Sequence, residues 1–539
     1  MPRATENTVD YMTTSSKIKI LVLITAALLL FSGCQRPGGT EQEPTGLPTS
    51  SPAATNAPVS GGALRLPMPV NASSDDPLDV NTEEMFNLFS LVYDRLLTVN
   101  ASGEIEPCLC ESWTSEGGGV WLLKLRDGVT WHDGSKLRAQ DVLDTFRRIQ
   151  SMESGYYKSC LEHLMAIDIV DELSVRARLN VRGLIGLYSL VFPISKSAPL
   201  VGTGAYRLES RRDGIITLRV NEDWWDKLPY IERIIFAARD SNSTSLASFE
   251  AGQLNMVPTD ILTAGRYRET GVTNVLDVMT QSMEVLLFNH KDSVFTNNSL
   301  RLAVAHGINR SRIITNVYMN RARAADVPFP PDSWLYDGRS AVLGYSPEQA
   351  ASLVEEAGYT VLSKEGLRYA LSGSHLSVKL LTSATTENTV RSDAANLIAS
   401  QLKSLGFIVE VVTKPHTLGD SESEFIEALR EGDWDMALVG FNLGLGNELT
   451  SYLDPDGANN FGHIDDPELS SKVLNMSFAE TEEELRAAAY ELQSYFVGTL
   501  PFMPLYFKLN SIIYSAHIYG VDGAREPMLF SDEKNWWYK

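Results

Sequence analysis

Between residues 378 and 441 the chain changes its hydrophobic period four times. Runs suited to strands, 378–381, 408–412 and 436–441, alternate with helical spacing over 387–405 and 423–432. A strand with an apolar face must bury it, and a helix after each strand is placed to supply the cover. The rhythm therefore points to an α/β class, a sheet covered by helices. Further strands are expected at 62–66, 120–125, 129–132, 166–170, 174–179, 203–206, 215–220, 231–237, 285–289, 503–507 and 511–514. Helical periodicity is expected over 83–97, 139–149, 243–251, 300–308, 312–318, 347–358 and 482–496. No internal repeat accompanies these elements.

At 539 residues the chain is too long for one compact domain, and two or three folded units are expected. The formal net charge of −22 argues against nucleic acid or an anionic membrane surface as the main partner. No apolar run after Phe31 is long enough to cross a bilayer.

Ahead of the folded part, Lys17 and Lys19 precede an apolar run from Ile20 to Phe31. That run is too short for a membrane-spanning helix and reads as an export signal over 1–33. Leu30-Phe31-Ser32-Gly33-Cys34 resembles the lipobox of bacterial lipoproteins, with Phe31 where Leu is usual. The resemblance implies lipidation of Cys34 and attachment to the outside of the cell membrane. Residues 34–60 are then the lipidated Cys and a Pro/Thr/Ser/Gly-rich spacer with too few large apolar side chains to fold. With Cys34 lipidated, Cys108, Cys110 and Cys160 allow at most one disulfide, and the sequence leaves open whether any pair forms. Their spacing does not match a zinc site, so buried thiols are the expectation.

Signatures of catalysis are missing. The sequence contains no P-loop, no His-Glu-x-x-His and no Gly-x-Ser-x-Gly elbow. Gly202-Thr203-Gly204 lacks the third glycine of a dinucleotide fingerprint and leads into a strand. Asp465-Asp466 and Asp454-Pro455-Asp456-Gly457 read as solvated turns, lacking the full ligand set of a calcium loop. No cofactor, no metal and no enzymatic activity are expected.

An ordered series of fragments carries more weight. It runs through Tyr93-Asp94-Arg95-Leu96-Leu97, Trp113, Trp121, Leu125-Arg126-Asp127-Gly128-Val129, His132-Asp133-Gly134 and Gly202-Thr203-Gly204-Ala205-Tyr206. It continues with Asn221, Trp224, Trp225, Phe288-Asn289, Ile308-Asn309-Arg310 and Asp433-Trp434-Asp435. In this order the chain resembles the family 5 extracytoplasmic solute-binding proteins of ABC importers, the oligopeptide, dipeptide and nickel group. The resemblance implies a two-lobed clamshell with an additional small domain. Lobe I would be discontinuous, 61–92, 201–289 and 503–539; the small domain would occupy 93–200, and lobe II 290–502. It further implies a monomer that captures a solute, with oligopeptides the expected class, and delivers it to permease subunits. A surface-tethered hydrolase is the rival class. A sugar, a metal chelate or a sensory role would keep the class and change the ligand or output.

Peptide-binding members carry a stretch like Gly-Trp-x-Ala-Asp-Tyr, whose Asp pairs with the ligand α-ammonium. Here Gly440-Phe441-Asn442-Leu443-Gly444 occupies that place, with Gly444 at the Asp position. A buried ammonium without a carboxylate is costly. Three solutions stay open: Glu448 reaches in, the ligand is held by backbone pairing, or it is not a free-amine peptide. Met85, Tyr156, Tyr157 and Tyr506 are the further lining candidates by motif placement, with ordinary packing as the alternative for Met85, Tyr156 and Tyr157.

Overall fold

Residues 377–442 fold into the parallel part of a seven-stranded mixed sheet. The computed structural model describes residues 57–70, 74–268, 270–340, 343–384, 389–416 and 422–539. The expected export signal, Cys34 and most of the spacer lie outside the described residues. Strand Ser377–Ala384 runs parallel to both Ile408–Pro415 and Met436–Asn442. Helices Val390–Lys403 and Glu424–Glu431 form the crossovers; Ser377–Ala384 and Met436–Asn442 bury Leu and Val side chains, while Ile408–Pro415 at the sheet edge has its Val side chains half-buried. Met436–Asn442 then pairs antiparallel with Thr273–Phe288, which pairs antiparallel with Phe502–Ser515.

These last two strands are longer than the sequence suggests. The apolar runs 285–289, 503–507 and 511–514 are pieces of a 16-residue strand and a 14-residue strand. Gln281, Ser282 and Glu284, with Lys508 and Asn510 opposite, interrupt the apolar pattern without interrupting the ladder. Register shifts between Met279 and Met283 and between Glu284 and Val285 absorb the misfit.

Two further four-stranded sheets flank this one among the described residues. In the first, Ala63–Pro69 lies parallel to Arg233–Arg239, followed by Ile215–Val220 and Tyr206–Arg212. The second is antiparallel, in the order Cys110–Gly117, Val120–Leu125, Ser174–Leu179, Leu164–Asp171. The strand expected at 129–132 is absent; Thr130 makes a single bridge to Lys136. Asp133 accepts the Ser135 N–H at 2.9 Å and bends the segment into a tight loop.

The helix expected over 83–97 stops at Val92, where Tyr93 turns extended with φ −122°. Asp94 explains the stop. Its buried carboxylate accepts the indole N–H groups of Trp224, at 3.3 Å, and Trp225, at 2.8 Å. A helix continuing through Asp94 would turn that side chain away from both donors. A twelve-residue helix, Pro467–Phe478, for which the sequence raises no expectation, follows the Asp465-Asp466 turn. Asp466 caps it, accepting the N–H groups of Glu468 and Leu469.

Cys108, Cys110 and Cys160 are free thiols, and burial pushes the Cys160 thiol up to about 11. No described helix is long and apolar enough to cross a membrane. No cluster of three His, Cys, Asp or Glu among the described residues could hold a metal ion.

Near the C-terminus Glu533 is buried beside Trp536, and desolvation raises its carboxyl to about 8 from 4.5. A raised folded-state value favours the protonated form in the folded protein. The stability it contributes is complete below pH 4.5 and is lost as pH rises through 8. The thermal midpoint should therefore decline across that window, and Glu533→Gln should flatten the decline. An unchanged slope in the variant would show that another group sets it.

Candidate functional site

Parallel strands end together, and the crevice beyond their C-terminal ends is where α/β sheets place ligands. Ser383 and Ala384 end one strand, His416 follows another directly, and Gly440 and Phe441 lie at the end of the third. These residues surround a cavity of about 680 Å³. Asp260, Glu284, Lys508 and Asn510, from the long antiparallel strands and the loop beside them, close the opposite wall.

Aromatic groups furnish one side. Phe441 lies against Tyr452 with ring centroids 4.1 Å apart and planes tilted by 30°. The Tyr452 hydroxyl donates to the Asn442 carbonyl at 2.8 Å, which fixes the ring against the strand end. Burial pushes that hydroxyl up to about 12, so it stays a donor at any ordinary pH. Tyr318, also on the wall, is backed by the fully buried Tyr506 at a centroid distance of 4.6 Å.

A charged cluster dominates the other side. Glu284 has no exposed surface. Its carboxylate accepts Arg391 Nε at 2.9 Å and Arg391 Nη2 at 2.8 Å, a planar two-point pairing, and it lies 2.6 Å from Lys508 Nζ. Arg391 Nη1 donates to Ser383 Oγ at 2.9 Å. Burial alone would raise the Glu284 carboxyl. The charges of Arg391 and Lys508 outweigh it and hold the group at about 2.

Gly440 makes this packing possible. It faces Glu284 across the ladder, and a Cβ there would lie 2.7 Å from Arg391 Nη2. Any other residue would force the Arg391 guanidinium to shift from its present pairing.

Of the residues singled out from the sequence, Gly440 and Phe441 line this cavity. Asn442 accepts the Gly444 N–H at 3.1 Å and shapes the turn beyond, while Leu443 is buried. Gly444 is exposed at φ +61°, with no atom within 4 Å of where a Cβ would stand. Glu448 Oε1 accepts the Thr450 N–H at 2.8 Å and borders a different cavity of about 500 Å³, with Glu162 and Asp454. Tyr156 and Tyr157 pack on each other and on Phe86, and Met85 is buried in the core of the first sheet. None of these last three touches the cavity lining. Glu284, Arg391 and Lys508 were missed. The available signal was an acid, Glu284, set inside the apolar run 283–288, which demands a buried cation from elsewhere in the chain.

A family model for bacterial extracellular solute-binding proteins, family 5 (middle region), matches residues 104–461. The chain is 25% identical over 480 residues to the oligopeptide-binding protein OppA of Bacillus subtilis, covering 80% of this chain and 84% of that protein. It is 23% identical over 461 residues to heme-binding protein A of Haemophilus influenzae, covering 77% and 81%. Among solved structures, the unliganded open form of the periplasmic murein tripeptide binding protein MppA superposes with a TM-score of 0.77. That likeness has 18% identity and covers 89% of this chain and 98% of that one.

Proposed function

The chain belongs to family 5 of the bacterial extracellular solute-binding proteins, and on that premise we propose that it captures oligopeptides in the strand-end cavity for delivery to an ABC importer permease. The fold is the family's two-lobed α/β type with a mixed sheet. In this reading lobe I comprises 61–92, 201–289 and 503–539, the small domain 93–200, and lobe II 290–502. The observation that carries the proposal is the composition of the cavity wall. Asp260, Glu284 and Lys508 belong to the first lobe so drawn, and Arg391, Phe441 and Tyr452 to the second. Glu284 is already bonded to both Arg391 and Lys508, and its strand pairs with the one that carries Phe441, so this wall is preformed. A solute is gripped between it and the aromatic side formed by Phe441 and Tyr452.

About 680 Å³ is room for a short peptide or for part of a longer one. The aromatic side, Phe441 and Tyr452, suits varied side chains, because a ring face contacts any of them without requiring a particular hydrogen bond. Lipidation of Cys34 completes the proposal, keeping a monomeric receptor close to its permease and without catalytic activity of its own.

Mass spectrometry of the solute that co-purifies with the protein should identify peptides, and calorimetry with a peptide mixture should show saturable binding. Tyr452→Ala, which removes one aromatic wall, should weaken binding on the order of tenfold. A heme or metal chelate in the cleft, with indifference to peptides, would remove the peptide assignment and leave the family role standing.

A further inference from the structure

Glu284 is a buried acid with its cations at hand; Glu83 is an acid without any. Glu83 opens helix Glu83–Val92, and its Oε1 is sealed from water with no hydrogen-bond partner among the described residues. The charged groups facing it are Glu84 on the same helix, Asp260 just beyond strand Met256–Thr259, and Glu526 in the C-terminal segment. All three are acids. Burial and these carboxylates raise the Glu83 carboxyl to about 8, so it carries its proton at neutral pH. Arg391 and Lys508 hold Glu284 at about 2, and no described residue does the same for Glu83.

A second orphan stands one turn along the same helix. Asn87 is 1% exposed, and neither atom of its amide has a partner among the described residues. At about 100° per residue, Asn87 lies about 40° from Glu83 and about 60° from Glu84, opposite Met85 and Phe89, which pack on the first sheet. Helical side chains lean toward the N-terminus, which directs the Asn87 amide at the turn carrying both acids. Buried polar groups are ordinarily paired, so an orphaned amide above an orphaned acid calls for a polar guest. Glu526 joins the group to the cavity. It accepts the Gln281 N–H at 2.9 Å and the Asn510 amide at 3.4 Å, and Asn510 and Asp260 line the cavity wall. Asp260 is exposed and Glu84 and Glu526 are half-buried, so the group meets water at the cavity edge. The acids do not converge as metal ligands, which leaves an amine as the fitting cation. The helix N-terminus favours the negative charge that Glu83 gains when one arrives.

Resting on the reading of this cavity as the solute site, we propose that a protonated amine of the solute, in a peptide its α-ammonium, is received by Glu83, Asn87 and Glu526 at the head of helix Glu83–Val92. The first lobe then supplies the carboxylates that the strand-end loop lacks at Gly444. The three N–H groups of an ammonium meet Glu83, the Asn87 carbonyl oxygen and Glu526. As the amine enters, the O–H bond of the Glu83 carboxyl breaks and its proton passes to the buffer.

Calorimetry of the full chain at pH 7 with trialanine and N-acetyl-trialanine, in two buffers of different ionisation enthalpy, tests this. Acetylation should weaken binding about tenfold or more, the worth of a charge-assisted hydrogen bond. Trialanine should release about one proton per molecule bound, and the acetylated form none. Glu83→Gln copies the neutral acid, so the free variant should keep its fold, with a thermal midpoint at pH 7 no lower than the parent's. In that variant the acetylation effect should fall below about threefold and the proton release should vanish. Equal binding of the two tripeptides, absence of proton release in the parent, or an acetylation effect that survives Glu83→Gln overturns the proposal. Should neither tripeptide bind, the peptide assignment fails separately. The solute that co-purifies then decides, one with a protonated amine supporting the proposal and one without overturning it. With neither binding nor a co-purifying solute, both fall.

Discussion

Gly202→Ala is expected to abolish recovery of folded protein. A Cβ at this position would lie 1.8 Å from the Val92 carbonyl oxygen and 2.7 Å from its carbon. Both are backbone atoms that cannot swing aside. The oxygen accepts the Gly204 N–H at 2.9 Å, and Val92 closes the helix that begins at Glu83. Gly202 cannot retreat either. Its N–H donates to His132 Nδ1 at 3.3 Å, and its carbonyl accepts the His132 N–H at 2.8 Å. Gly204 is as confined, with a Cβ there 2.7 Å from the Leu91 carbonyl oxygen. The pair of glycines lets residues 202–204 lie directly on the helix end while His132 holds them from the other side. Overpacking against fixed backbone costs more than the usual one to three kcal/mol, and roughly 4 kcal/mol or more is expected here. Gly444→Ala is the control. No atom lies within 4 Å of its Cβ, and only the left-handed backbone at φ +61° is strained. That strain costs about 1 to 2 kcal/mol. Yield of folded protein and chemical denaturation distinguish the two, and recovery of folded Gly202→Ala with a midpoint close to the parent's would refute the packing argument.

The contrast between these glycines also shows what the sequence made legible. Gly202-Thr203-Gly204 was visible as a motif, and the dinucleotide reading could be dismissed from spacing alone. Why glycine is required there depends on Val92, more than a hundred residues earlier, and no local pattern reports that contact. The same division runs through the fold. The strand–helix rhythm over 377–442 could be read because each apolar run is a strand, buried at 378–381 and 436–441 and half-buried at the sheet edge over 408–412, and each helix has an apolar face. Thr273–Phe288 and Phe502–Ser515 were legible only in fragments, because the polar residues lining the cavity break their apolar alternation. The helix 83–97 was drawn too long because periodicity does not register the demand of Asp94 for Trp224 and Trp225. At the site, Gly440 and Phe441 could be placed from a motif that falls on one strand end. The ion cluster could not, because Arg391 and Glu284 lie 107 residues apart in sequence and meet only when two halves of the sheet come together.

Glu284→Gln carries the largest expected effect at the cavity itself. The substitution keeps the shape and removes the charge, leaving Arg391 and Lys508 side by side with no counter-ion. Breaking a buried pair by deleting one partner costs about 3 to 5 kcal/mol. The lower end is expected, because Arg391 and Lys508 retain 22% and 39% of their side-chain exposure and can recover some water. A second route gives a similar figure. The carboxyl is held at about 2 against an ordinary 4.5, and this difference across a fully buried group corresponds to about 3 kcal/mol. The sign follows from the depressed value. The contribution is present above pH 4.5 and is lost as pH falls through 2, so the parent protein should lose stability across that acid window. Glu284→Gln should start lower at neutral pH and approach the parent as the pH falls, because both then carry a neutral group at this position. Denaturation midpoints measured from pH 7 to pH 2.5 give the comparison. Curves that stay parallel throughout would mean that Glu284 does not hold its charge in the folded protein. The charged cluster that it forms with Arg391 and Lys508 would then lose its foundation.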